Sequence, residues 1–164
     1  LIHLTKRILI KMVWKPRVTV AAVAENDGRF LMVEEQINGE RRFNQPAGHL
    51  EDGESLVEAA VRECLEETAW QFQPEALVGI YRWRQPASQD TYVRVTFCGQ
   101  CAQHHADKSL DPDIIAAHWL TPGAIREREV QLRSPLVLCS LEDYLQGKRY
   151  PIELLVDIES GESS

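Results

Sequence analysis

The sequence predicts an α/β sandwich built on a mixed β-sheet. Three observations carry that expectation. Apolar, β-rich runs recur along the chain, and the first two are separated by the hairpin turn signal Asn26–Asp27–Gly28. Two segments carry helix start signals, one at Ser55 and one at Ser134. No internal repeat and no linker divides the 164 residues, so strands and helices share one domain.

The opening "LIHLTKRILIK" (1–11) is expected to be an extension outside the fold, with Met12 as the natural start. An added N-terminal strand is the alternative reading. Residues 12–155 are expected to form the domain. The tail 156–164, which contains "ESGESS", is expected to be disordered. "RVTVAAVAE" (17–25) and "RFLMVEE" (29–35) read as paired strands, and "ING" (37–39) as a second turn. "RFNQPAG" (42–48) is a short strand whose pairing ends at Pro46. A helix follows from near Leu56, because Ser55 with Glu58 forms a capping box. "ALVGIYRWR" (76–84) and "TYVRVTFCGQC" (91–101) read as strands paired across a loop. "DPDIIAAHWL" (111–120) starts as loop and becomes a strand. The last helix is predicted with Ser134 as N-cap, Pro135 at its first position and Gly147 as its stop, with Leu138, Leu141 and Leu145 at helical spacing.

Composition excludes several classes. At 44% hydrophobic and 26% charged residues, the chain is neither disordered nor fibrous. A net charge of -7 disfavours broad nucleic-acid binding, so no nucleic-acid partner is expected. No apolar run spans a bilayer, and the N-terminal stretch is a poor signal peptide, so no membrane partner is expected. Four scattered cysteines are too few for a disulfide framework, which makes reduced thiols and a cytoplasmic location the expectation. Cys98 and Cys101 with His104 and His105 invite a zinc reading. Residues three apart on a strand face opposite ways, so the thiols should not converge.

The helix after Ser55 gathers Glu63, Glu66 and Glu67 near its C-terminal end. With about 100° per residue and Arg62 at zero, they fall near 40° (Glu66), 100° (Glu63) and 140° (Glu67). Ala60, Cys64, Val57, Thr68, Val61 and Leu65 cover the next arc, so a carboxylate stripe is expected beside a buried stripe. As structure alone the stripe is unfavourable. Glu63 repels Glu66 and Glu67 by about 0.2–0.5 kcal/mol each. The helix dipole adds to the cost at that end. A divalent cation would resolve the conflict, and hard carboxylate oxygens suit magnesium or manganese. A solvated acidic face is the competing reading.

The residues ahead of the helix extend the pattern. Gly48 is followed by five residues and Glu54, then seven residues, then Arg62, Glu63, Cys64, one residue, Glu66 and Glu67. This resembles the box of the Nudix hydrolase family, Gly-x5-Glu-x7-Arg-Glu-U-x-Glu-Glu-x-Gly-U, where U is bulky and apolar. With each residue type at about 6–7%, six such matches arise by chance on the order of once in 10⁷ start points. Two positions depart: Ala69 stands for the second glycine and Trp70 for the last apolar residue. Alanine in the left-handed helix end that glycine permits would be strained by roughly 1 kcal/mol. "KPRVTVAAV", "VEEQINGE", "NQPAGHLE", "LRSPLV" and "GKRYPIE" are further similar to the NudJ-type phosphatase branch of that family.

The resemblance implies an α/β/α sandwich and a bacterial enzyme. It implies release of orthophosphate from nucleoside tri- and diphosphates and from hydroxymethylpyrimidine pyrophosphate, a thiamine precursor. It implies Mg²⁺, with Mn²⁺ as a substitute, held by Glu63, Glu66, Glu67 and the carbonyl of Gly48. Glu66 is the favoured base toward water, with Arg62 pairing with Glu54 to orient the carboxylates. Phosphoanhydride hydrolysis is mostly positioning and charge neutralisation, which such a site supplies. Asp111 and Asp113 match acids in the branch pattern, and are metal ligands or bases, or else a turn and a strand cap. His49 either meets a phosphate or holds its loop. Trp83 either stacks on a substrate ring or joins the core. Arg94, mid-strand among apolar residues, must be answered by a phosphate or by a structural carboxylate. The partner is then a small-molecule phosphoanhydride, with a monomer or homodimer expected. Two other functions stay open: a Nudix pyrophosphohydrolase of ADP-sugars or dinucleotides, and a non-catalytic nucleotide-binding Nudix module, which only Ala69 favours.

Overall fold

The computed structural model describes residues 13–158. The expected extension at 1–11, Met12 and residues 159–164 of the expected tail lie outside the described residues.

The predicted hairpin forms between β1 (Arg17–Asn26) and β2 (Arg29–Ile37). Asp27 and Gly28 have φ of 49° and 71°, and positive φ at both central residues suits the strand twist. Asn38 and Gly39 repeat this at 50° and 83° and lead into β3 (Glu40–Asn44), which pairs with β2. Gln45 and Pro46 leave that ladder, and β4 (Ala47–His49) pairs instead with β1 at Thr19–Ala21. After α1 (Leu56–Thr68) come β5 (Trp70–Arg84), β6 (Thr91–His104) and β7 (Ile114–Leu120). The chain then forms α2 (Pro122–Arg126) and α3 (Leu136–Leu145), each followed by a short 3₁₀ turn.

β1 is the hub of the sheet. It lies parallel to β6 from Arg17 to Ala24 and antiparallel to β2 and β4. One parallel pair among antiparallel neighbours makes the sheet mixed, as predicted. Strand alternation sends Val20, Ala22, Ala24, Val95 and Phe97 to one face, where Ala59, Ala60 and Cys64 of α1 cover them. Val23, Phe30, Met32 and Cys98 face the other side, under Ile125 of α2 and Val137 and Leu141 of α3. The result is an α/β/α sandwich with two cores. Cys98 and Cys101 join opposite cores, as the alternation requires.

Two elements differ from expectation. β5 begins at Trp70 rather than at 76, because it absorbs Pro74 and polar residues through two register shifts against β6, at Gln71/Phe72 and Pro74/Ala76. Ser134 does not cap α3 through its side chain: the hydroxyl is unpartnered, and Val137 N–H reaches the Ser134 carbonyl instead. Pro135, expected at the first helical position, is itself the N-cap, with the helix starting at Leu136, and Gly147 takes φ 82° beyond the end, as a stop requires. The buried face of α3 is Leu136, Val137, Ser140 and Leu141, while Leu145 is exposed.

Candidate functional site

α1 starts as the sequence dictates. Ser55 Oγ accepts from Glu58 N–H at 3.1 Å, and the Glu58 carboxylate accepts from Ser55 N–H at 2.8 Å. It ends at Ala69, which takes the left-handed conformation (φ 58°, ψ 13°) and donates its N–H to the Leu65 carbonyl. Alanine therefore accepts the geometry glycine would favour, with its carbonyl held by His105 N–H at 2.8 Å.

The helix is rotated relative to the wheel expectation. Glu63 and Glu67 lie within the buried face, at 9% and 8% exposed, together with Ala59, Ala60, Cys64 and Thr68. Val57, Val61 and Leu65 are only half-buried. The cause is β4. Ala47 N–H donates to Glu67 Oε2 at 2.8 Å, and Gly48 leaves the space that the Glu63 carboxylate occupies. Any side chain at 48 would overlap that carboxylate, so the glycine is what lets Glu63 lie there.

Arg62 organises the acids around it. Its Nε and Nη2 grip Glu54 at 2.9 and 2.7 Å. Its Nη1 donates to Glu63 Oε1 at 2.8 Å and to Glu66 Oε2 at 3.0 Å, and Nη2 also reaches the His49 carbonyl at 3.0 Å. The planar fork suits several carboxylates at once. These hydrogen bonds, Glu54's first, raise the Arg62 pKa, and Arg62 in turn holds the Glu54 carboxyl below its ordinary value.

A cleft of about 830 Å³ opens beside α1. Gly48, His49, Glu67, Trp83, Arg94, Asp111 and Asp113 all line it, so most of the sequence-predicted residues meet in one place. Asp111 and Asp113 enter on the loop before β7. Asp111 N–H bonds the Glu66 carbonyl at 3.1 Å, tying that loop to the end of α1, and the Asp113 carbonyl accepts from Gln36 N–H. Trp83 is not core. It stacks on Tyr92, with centroids 5.8 Å apart and planes at 30°, and His49 lies 6.5 Å from the same tyrosine. Arg94 is buried on β6, with Nη1 3.4 Å from Asn44 Oδ1 and Nε unpartnered. No carboxylate among the described residues ion-pairs with it.

The sequence reading missed Tyr92, whose only signal was its place opposite Trp83 in the β5–β6 ladder. It also missed Glu35, which lines the cleft with one carboxylate oxygen unpartnered.

Burial dominates the electrostatics. It raises the carboxyl pKa of Glu35 and of Glu63, and pushes Glu67 up to about 9, against the pull of the Ala47 N–H. It lowers Arg94 to about 10, and lowers His49, with Arg17 and Arg133 adding to the effect. Without a bound cation, burial therefore favours the protonated forms of these carboxyls. Among the described residues no three acidic, histidine or cysteine side chains converge on a single point. Glu63 and Glu66 are turned onto Arg62, and Glu67 onto Ala47. The donor set nevertheless fits a hard divalent cation: it is all oxygen, with buried carboxylates whose protonation a cation would replace.

A carboxylate-bearing helix set against a polar cleft with a buried arginine, in an α/β/α sandwich, suits the binding and hydrolysis of a phosphoanhydride. The NUDIX domain family profile matches residues 14–138. Phosphatase NudJ of Escherichia coli K12 is 42% identical over 144 residues, spanning 88% of this chain and 93% of that protein. Phosphatase NudJ of Shigella flexneri matches to the same extent. A solved NUDIX hydrolase from Nitrosomonas europaea superposes with a TM-score of 0.88 at 47% identity, covering 90% of this chain and 100% of that one. The MutT protein from Methanosarcina mazei Go1, at 23% identity and a TM-score of 0.66, shares the fold. The chain belongs to the Nudix hydrolase family, and its sequence places it with the NudJ-type phosphatases.

Proposed function

We propose that this enzyme releases orthophosphate, with magnesium or manganese, from nucleoside tri- and diphosphates and from hydroxymethylpyrimidine pyrophosphate. The observation that carries the proposal is the acidic face of α1, with Glu63 and Glu67 buried and Glu67 lining the cleft. The 42% identity to Phosphatase NudJ supports orthophosphate as the product.

The carbonyl of Gly48 and the carboxylates of Glu63, Glu66 and Glu67 would hold the cation. When bound it supplies charge neutralisation at phosphorus and a more acidic water. The protein's own groups do the rest. Glu66, the least buried of the three glutamates, faces Arg62 and takes the proton from the attacking water. Arg62 and Glu54 hold the orientation of Glu63 and Glu66. Asp111, joined to the Glu66 carbonyl, and Asp113 are additional acids at the rim, as ligands or bases. Trp83 with Tyr92, and His49 beside them, form a ring-stacking wall for the base. Arg94 answers phosphate, since among the described residues no carboxylate ion-pairs with it. The proposed setting is the cytoplasm, with free cysteines and, among the described residues, no helix long and apolar enough to cross a membrane, and a monomer or homodimer is the proposed working unit.

Glu67→Gln tests the ligand set. Turnover with magnesium should fall by orders of magnitude with the melting temperature retained. Near-normal turnover would remove Glu67 from the set.

A further inference from the structure

Unpartnered buried polar atoms are concentrated in one wall of the cleft. Thr19 Oγ1, Glu35 Oε1, Arg94 Nε and Ser134 Oγ all lack a hydrogen-bond partner, and all four residues line it. Buried polar groups are otherwise satisfied in folded proteins, so such a concentration in a cleft wall must be met by water or by a polar ligand. Three of the four atoms are donors: two hydroxyls and a guanidinium N–H.

Their placement is not accidental to the fold. Thr19 and Arg94 are direct partners in the parallel β1–β6 ladder. By strand alternation both face the side of the sheet that α3 covers. Ser134 is 8% exposed at the entrance to α3, where its hydroxyl does no capping. Arg133 stands next to it at the rim, its N–H held by the Phe43 carbonyl at 2.8 Å. Among the described residues the ion pairs involve neither Arg94 nor Arg133. Glu35 is the one acid in this wall close enough for both guanidiniums to act on it, and its own carboxylate keeps one oxygen unpartnered.

We infer that Arg133, Ser134, Thr19 and Arg94 form a subsite for a free terminal phosphoryl group. The inference rests on the reading of the enzyme as one that releases orthophosphate. A terminal phosphoryl carries nearly two negative charges and three unesterified oxygens. Two guanidiniums and two hydroxyls match that charge and that oxygen count. An internal phosphodiester has one charge and two free oxygens, and leaves donors of this wall unused. The subsite would therefore favour substrates that end in phosphate over those in which the second phosphate carries a further group.

The test is titration calorimetry of the metal-free protein with inorganic phosphate, for wild type, Arg133→Gln and Ser134→Ala. Arg133 is exposed, so its variant should fold, which a thermal melt checks. Arg133→Gln should weaken phosphate binding about tenfold or more and lower kcat/KM for GDP relative to ADP-ribose by a similar factor. Ser134→Ala should weaken phosphate binding severalfold. Phosphate affinity unchanged in both variants, or no phosphate binding by wild type, would overturn the subsite. If Arg133→Gln loses phosphate binding while wild type frees no orthophosphate from GDP, the anion subsite stands and the phosphatase reading falls.

Discussion

The α-carbon of Gly48 packs directly against the carboxylate of Glu63, leaving no room for a methyl group between them. One residue on a three-residue strand therefore sets where a buried acid of α1 lies. Gly48→Ala should displace Glu63 while sparing both hydrophobic cores, to which Gly48 does not belong. Turnover should fall by about 100-fold, the scale of a small misplacement of reacting groups. Steady-state kinetics with a melting curve checks this.

Arg62 holds Glu54, Glu63 and Glu66 at once. Arg62→Ala should lower kcat by about 10- to 100-fold and weaken magnesium affinity, as loss of a ligand-orienting group does. Arg62→Lys should recover little, because one ammonium cannot reproduce the fork. Metal titration of both variants followed by activity would show it.

Glu67 gives the metal-free protein a pH dependence of definite sign. Its carboxyl, ordinarily at 4.5, is raised to about 9 by burial. The folded chain then holds this proton more tightly than the unfolded chain. Stability should fall as pH rises through the window from 4.5 to about 9. Melting temperatures between about pH 6 and about pH 8.5 should decline, and less steeply in Glu67→Gln. Added magnesium should offset the decline in wild type by binding the ionised form.

Trp83 and Tyr92 make a stacked pair at the cleft. Trp83→Ala should raise KM for nucleotides about 5- to 100-fold, the range expected for loss of base stacking, with a smaller change in kcat. Inhibition by inorganic phosphate, which has no ring, should be unchanged.

The box residues were legible because six residues at fixed spacing sit on one continuous strand–loop–helix segment. Both glycine hairpins and the Ser55–Glu58 cap were legible for the same local reason. The depth of Glu63 and Glu67 was not, because a helical wheel gives angles but not which arc the sheet covers. That arc is chosen by Ala47 and Gly48 on a different element. Arg94 announced itself as a charge in an apolar strand, yet its company did not. Arg133 and Ser134 lie far along the chain, and Ser134 mimicked a helix cap that its hydroxyl does not make.

The most direct measurement is of free orthophosphate from GDP with magnesium, with no coupling phosphatase or pyrophosphatase present. GTP, hydroxymethylpyrimidine pyrophosphate and ADP-ribose would run in parallel. The account predicts orthophosphate from GDP and the pyrimidine pyrophosphate in step with substrate loss. Nucleoside monophosphate from ADP-ribose, with no orthophosphate from any substrate, would contradict it.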